Sequence, residues 1–454
     1  MLGPASCLLL AAFSASAVEG AFGVSGEVAA GRAPLDYSGP EQNSLTFTLV
    51  PGVAAQLRTK DSTLTLSYTP RVFYRLPNTL NINHPLVLHQ VGLDHVLAIG
   101  KWLSWTTNFQ LAVGQIDYTA AGVVFDPSQV AQVRTSVTDI LRTTAQTGLK
   151  YQVRPTFALH MEGGVEYTTT LDDATLLPTM DPNPPVDAMG GTGQQVYGSI
   201  IPDSFQVRGK PGFAVSIGRT THVGGAAEVT YQWFKSIAKY LVLSPELEWD
   251  TTFGKSTTLA LSGGVAYVWT LDAIDPKAKN NSLGGTGSID LKSLVYRGQG
   301  LSTTLGLNAA LDWFFDPVIG TSQPRAGATA TGLFQIGRKW QISPLASIYT
   351  LLKTTTIRLT DMGVPLPPDD PRQIQAQLDQ LRAATNATLI RFELPIDYQI
   401  SEVASFGFGG RAALRARSVT DSNFRLGEQV EIWGFVGLTL RAATSSDKGS
   451  WLPL

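Results

Sequence analysis

Alternation of apolar and polar side chains, sustained along the whole chain, is the feature that most limits what it can fold into. From Leu389 to Tyr398, Ile390, Phe392, Leu394, Ile396 and Tyr398 fall on one face, and Arg391, Glu393 and Asp397 on the other. Only a β-strand sends successive side chains to opposite faces. The same pattern sets Leu45, Phe47 and Leu49 against Thr46 and Thr48. It sets Leu64, Leu66, Tyr68, Val72 and Tyr74 against Thr65, Ser67, Arg71 and Arg75, and Leu241, Leu243, Leu247 and Trp249 against Glu246, Glu248 and Asp250. A soluble β-sandwich also alternates. Here, however, the strands run about 12–16 residues, where globular strands run about 5–6.

Composition agrees with a chain divided, residue by alternate residue, between lipid and water. Charged residues make up only 15% of the 454 residues, below the ~25% usual in soluble domains. The hydrophobic fraction is 43% and the mean hydropathy +0.06, and past the N-terminal stretch no run approaches the ~20 apolar residues of a spanning helix. A net charge of −2 gives no sign of a nucleic-acid partner. The length alone would allow two or three domains, but no linker-like shift divides the chain.

The N-terminus reads as a secretory signal. Cys7 to Val18 is apolar and Ala15-Ser16-Ala17 is a small-x-small cleavage site, although no Lys or Arg precedes Arg32. The expected division is a signal peptide over 1–17, a barrel over 18–442 and a short periplasmic tail over 443–454. Cys7 is the only cysteine, so the mature chain would hold neither a disulfide nor a cysteine metal site, and no metal or cofactor is expected. An exported chain without spanning helices crosses a membrane only as a closed barrel, because backbone groups in lipid must all be paired.

Tight turns are expected near Lys60-Asp61, Gly100-Lys101, Val153-Pro155, Arg219-Thr221, Phe253-Lys255, Gly298-Gly300, Gly337-Lys339 and Ser401-Glu402. The connections between them, at roughly 76–85, 119–141, 171–202, 236–238, 271–286, 315–322, 354–385 and 418–427, are mostly long. Short periplasmic turns and long outer loops are the layout of an outer-membrane barrel. With a first strand near Phe22–Ala33 and a last near Val430–Arg441, the fold predicted is an all-β, antiparallel, up-and-down transmembrane barrel. It has about eighteen strands (16–18) and both termini periplasmic. The strand near Ile289–Tyr296 is its weakest member.

Aromatic residues mark both strand ends. Phe73-Tyr74, Tyr118, Tyr167, Tyr231/Trp233/Phe234, Trp269 and Trp313-Phe314-Phe315 end ascending strands, while Trp102, Trp105, Trp249 and Trp340 lie beside short turns. Such belts suit the headgroup level. Two loops carry helical spacing: Val130, Val133, Val137, Ile140 and Leu141 after Pro127, and Ile374, Leu378 and Leu381 after Asp369-Asp370-Pro371. They are read as rim helices or as segments folding inward.

If the apolar face meets lipid, the other face lines a lumen. Glu162, Glu166, Glu228, Glu246, Glu248 and Asp250 form an acidic arc, and Arg71, Arg75, Arg391, Arg411, Arg415 and Arg417 a basic one across from it. They would set a transverse field or neutralise each other in cross-strand pairs. Phe73, Trp433 and Phe435 are inward aromatics on which sugar rings could stack. His89 and His95 break the pattern by sharing a face with Val91, Leu93 and Leu97, which calls for a bulge or for a place near the lower headgroups. His160 and Glu162 share a face, but no nucleophile motif or metal spacing accompanies them, so no enzyme is expected. Gly407-Phe408-Gly409-Gly410 is followed by no helix, and is read as bends or close strand contacts and not as a phosphate loop.

Together the signal, strands and belts resemble bacterial outer-membrane β-barrels. The Leu64-Thr65-Leu66-Ser67-Tyr68-Thr69-Pro70-Arg71 segment and the hairpin layout resemble, more loosely, polysaccharide-export barrels of myxobacterial type. That resemblance implies an eighteen-stranded conduit partnered by a periplasmic polysaccharide-export protein, with outer-membrane lipid and the assembly machinery as further partners. The end Trp451-Leu452-Pro453-Leu454 departs from the aromatic terminus that this machinery often reads. Three functions follow as expectations: a polysaccharide conduit, a diffusion porin for small solutes, and a structural or adhesion barrel with a plugged lumen.

Overall fold

The computed structural model describes residues 17–34, 41–77, 84–117, 137–171, 203–235, 238–273, 281–315, 322–352, 387–417, 429–443 and 452. Alternation becomes strand throughout. The segments are β1 (Ala17–Pro34), β2 (Glu41–Arg58), β3 (Ser62–Tyr68), β4 (Arg71–Leu76), β5 (Leu86–Ile99), β6 (Leu103–Asp117) and β7 (Val137–Arg154). Next come β8 (Phe157–Thr170), β9 (Ser204–Ile217), β10 (Thr221–Phe234), β11 (Ala238–Phe253), β12 (Thr257–Ala273), β13 (Ser282–Gly298) and β14 (Leu301–Phe315). The last are β15 (Ser322–Ile336), β16 (Trp340–Ile342), β17 (Leu345–Leu351), β18 (Ala387–Ser401), β19 (Ala404–Arg417) and β20 (Gln429–Ala443).

β3 and β4 are one strand broken at Pro70, and β16 and β17 one strand broken at Pro344. Proline has no N–H to give the ladder. Neighbouring groups bridge the gaps: Thr69 N–H donates to the Gln90 carbonyl at 2.9 Å, and the Pro344 carbonyl accepts from Gly332 N–H at 2.8 Å. Counted this way the sheet has 18 strands, each antiparallel to its chain neighbours. The last strand pairs with the first, from Ala21 opposite Ala443 to Arg32 opposite Ile432, so the sheet has no edge. All eight expected tight turns join their strands, and the strand around Ile289–Tyr296 runs the full length from Ser282 to Gly298.

Exposure follows the alternation. Along β20, Ile432, Val436, Leu438 and Leu440 are exposed while Glu431, Trp433 and Phe435 are buried. The apolar side chains are outside and the polar ones inside, the inverse of a soluble core. Among the described residues no helix is present, and Val137, Ile140 and Leu141, expected in a helix, lie in β7. The reason is pairing: β7 keeps an unbroken ladder with β6 from Val137 to Tyr151, which fixes the period at two. Ile140 thereby turns inward and packs on Leu88. Val130, Val133, Tyr118 and the segment with Ile374, Leu378 and Leu381 lie outside the described residues, as do residues 1–16.

Among the described residues several apolar clusters interrupt the inner face, and two of them lie near its ends. Near the outer end, Phe234, Tyr240, Val242 and Val268 pack together with Trp313 and Phe315 against them. At the periplasmic end Leu452, 1% exposed, sits against the inward Ala21 and Ala54 and beside Ala443. It thus spans the seam where β20, β1 and β2 meet.

The facing of β20 has a measurable consequence. Val436→Arg should destabilise the barrel by about 2–4 kcal/mol, the usual penalty for a charge at the lipid midplane, whereas Thr439→Arg on the inner face should change stability by less than about 1 kcal/mol. Reversible denaturant titration in lipid vesicles reads both; equal penalties would reject the facing.

Candidate functional site: the charged inner wall

A junction of arginines and glutamates on β18, β19, β1 and β4 dominates one side of the inner wall. Arg411 holds Glu27 through two parallel bonds, Nη1 to Oε1 at 2.6 Å and Nη2 to Oε2 at 2.7 Å. Such a fork fixes both position and plane. Its Nε also lies 3.5 Å from Glu393 Oε1, which Arg391 Nη2 reaches at 2.5 Å. Arg71 stands within electrostatic reach of Glu27 and Arg411, and Arg75 donates to Ser44 Oγ at 3.2 Å. Arg415 and Arg417 pair in the β18–β19 ladder with Leu389 and Ala387, and their side chains lie outside the described residues.

The Arg411 guanidinium also lies over the ring of Phe435, 4.2 Å from its centroid, a cation–π contact. Trp433 and Phe435 turn inward as expected, but they are buried, at 2% and 9% exposure, and so is Phe73 at 5%. They therefore present no open face for a sugar ring. Glycine notches explain the burial of two of them. A Cβ on Gly31 would fall 2.7 Å from the Trp433 ring, and one on Gly409 would fall 2.8 Å from the Phe435 ring, so each ring lies flat on the wall. Gly409 belongs to the 407–410 glycine run, which serves this close approach.

Across the barrel the expected acidic residues also face inward, several with cations that alternation did not bring forward. Lys210 on β9 bonds Glu246 at 3.1 Å and Glu248 at 2.8 Å. His160 Nε2 lies 3.8 Å from Glu248, and Arg142 meets Glu166 at 2.9 Å. Glu228 accepts from Thr230 Oγ1 at 2.8 Å. Glu162 and Asp250 have Lys210 and His222 as their cross-strand register partners. A further fork, Arg325 on Asp312 at 2.9 and 2.5 Å, was not foreseen.

Two cavities follow the wall beside the arginine junction. A vestibule of about 760 Å³ opens at the periplasmic end among Gln335, Arg338, Gln341, Asp397, Gln399 and Arg441. Above it a pocket of about 230 Å³ is lined by Glu27, Glu393, Arg411 and Phe435, and shares Asp397, Ser405 and Thr439 with the vestibule. A hydrogen-bonding track thus rises from the mouth to the Arg411–Glu27 fork.

His89 and His95 face outward with no bulge, since β5 stays in register with β6 from Leu88 to Ile99. His89 pairs with Tyr68, whose hydroxyl lies 2.8 Å from Nδ1 and whose ring stacks on it with centroids 6.2 Å apart.

A closed ladder, an apolar outside and a charged inside leave one class of fold. The chain is a closed transmembrane β-barrel. No family model and no curated protein matches the sequence. Among solved structures it is similar to the outer membrane protein opdK from Pseudomonas aeruginosa, with a TM-score of 0.43 and 10% identity over 94% of this chain and 99% of that one. A BenF-like porin from Pseudomonas fluorescens gives 0.42 and 9% identity over 93% and 98%. A bacterial polysaccharide outer membrane secretin gives 0.31 and 7% identity over 93% and 98%.

The Arg411–Glu27 fork should behave as a coupled unit. A double-mutant cycle between Glu27→Gln and Arg411→Ala is expected to give a coupling energy of about 1–3 kcal/mol in vesicle unfolding. Additive single effects would show that the fork contributes nothing.

Proposed function

We propose that this barrel is an outer-membrane channel for small polar solutes, with the Arg411–Glu27–Glu393–Arg391 junction as its charge-selective narrowing. The observation that carries this reading is the polar track that joins the periplasmic vestibule to the junction inside a closed wall. A solute entering there meets carboxylates, guanidinium groups and amides held in place by one another. Such preformed sites exchange partners at little conformational cost. The local ion pairs at the junction would exchange with a dipolar solute in transit.

Delivery through the inner membrane by a cleaved segment 1–17, and insertion by the assembly machinery, belong to the same proposal. Export of a polysaccharide, with a periplasmic export protein below the vestibule, is the narrower version of it. That version requires Phe73, Trp433 and Phe435 to be uncovered during passage, because all three rings are buried. Small solutes require no such step. An enzymatic reading has less to stand on, since His160 and Glu166 are committed to Glu248 and Arg142.

Planar-bilayer recording tests the channel. The full barrel should conduct, and Arg411→Glu should move the reversal potential in a salt gradient toward cation preference, because a fixed positive charge at the narrowing becomes negative. A barrel that never conducts would favour the plugged, structural reading. Unchanged selectivity would remove Arg411 from the narrowing.

A further inference from the structure

One outward polar cluster has no part in a channel. His95, on β5, sits on the lipid face between Leu93 and Leu97, with Leu64 as its register partner on β3. Its Nε2 lies 3.0 Å from Ser62 Oγ, and its ring meets Trp105 edge-on, with centroids 6.1 Å apart. The Trp105 indole N–H is spent on Thr147 Oγ1 at 2.8 Å. When Nε2 accepts from the serine hydroxyl, the ring proton rests on Nδ1, leaving a donor for an anion.

Depth and charge name the anion. His95 stands four residues from Ile99, the last residue of β5. With a rise of about 3.3 Å per residue and a tilt of about 45°, that is about 9 Å above the turn, near the lower boundary between headgroups and acyl chains. Two turns border the cluster, held together by Ala98 N–H donating to the Asp61 carbonyl at 2.7 Å. They carry Lys60 and Lys101, both exposed, against a single acid, Asp61. Lysine stems lie along apolar surface while their ammonium groups reach polar partners. Exposed Leu66, with Leu64 and Leu93, continues the face upward as a path for an acyl chain.

We propose that this patch binds a membrane phospholipid, its phosphate held by the Nδ1–H of His95, which Ser62 orients, with Lys60 and Lys101 beneath, and its acyl chain along Leu64 and Leu93. The inference rests on the membrane-spanning barrel but not on conduction, so a silent barrel in bilayer recording leaves it intact. His89 makes no such site, because it stands ten residues from Ile99 on the same strand, far from the turns that carry Lys60 and Lys101.

Native mass spectrometry of the refolded full chain in neutral-detergent micelles, with phosphatidylglycerol added, tests it. The unaltered barrel should retain one lipid more than His95→Ala, and one more than the Lys60→Ala/Lys101→Ala pair, whose changes lie in exposed turns and spare the strands. Heat-modifiable gel mobility certifies folding of each variant. Diacylglycerol, which lacks the phosphate, should give no extra retained molecule, and excess inorganic phosphate should not displace the lipid. Equal retention by the barrel and both variants, or equal retention of diacylglycerol, would overturn the proposal. Displacement by inorganic phosphate would overturn the lipid assignment in favour of a free anion.

Discussion

The backbone hydrogen bond is the interaction on which the rest of this structure depends. In hydrocarbon an unpaired N–H or C=O costs several kcal/mol, so a sheet with an open edge cannot stay there. The pairing of β20 with β1 removes that edge. Once the sheet is closed, alternation has only one physical outcome: apolar side chains meet lipid and polar ones meet each other around the lumen. The inward charges, the glycine notches and the outward histidines all take their positions from that closure.

Inside, the charged groups answer a second constraint. A bare carboxylate on a low-dielectric wall is costly, and a fork such as Arg411 on Glu27 relieves it while fixing geometry. The arrangement on the acidic side is similar, with Lys210 shared between Glu246 and Glu248. Each side of the wall therefore carries counter-ions of its own, which replaces a simple picture of opposed arcs with local ion pairs. The buried aromatics fit the same account. The rings of Trp433 and Phe435 lie flat where a glycine leaves room, and Phe435 serves as wall for the Arg411 guanidinium above it.

The fold was legible in the sequence because its signals are local. Period two, the turn residues and the long loops lie within a few residues of one another, and strand identity and facing at Leu389–Tyr398 or Leu64–Tyr74 follow from them alone. The candidate site was legible only in part. Arg391 and Arg411 were visible as inward charges, but the partner of Arg411 is Glu27, 384 residues away, and only the seam register brings them together. Lys210 escaped notice for a related reason, since its role depends on Glu246 and Glu248 two strands on. Ile140 shows the opposite failure: local helical spacing at Val137, Ile140 and Leu141 lost to the ladder with β6. The burial of Trp433 depends on Gly31 in the neighbouring strand, which no pattern within β20 could reveal.

A nitroxide scan along β20 tests the central claim most directly. Labels at each position from 430 to 441 of the barrel in vesicles would be read for collision with oxygen, which partitions into lipid, and with a water-soluble nickel chelate. The account predicts period-two alternation, with even positions favouring oxygen and odd positions, facing the lumen, sheltered from it. Uniform access to the nickel reagent, or oxygen access without alternation, would contradict a closed barrel with this facing.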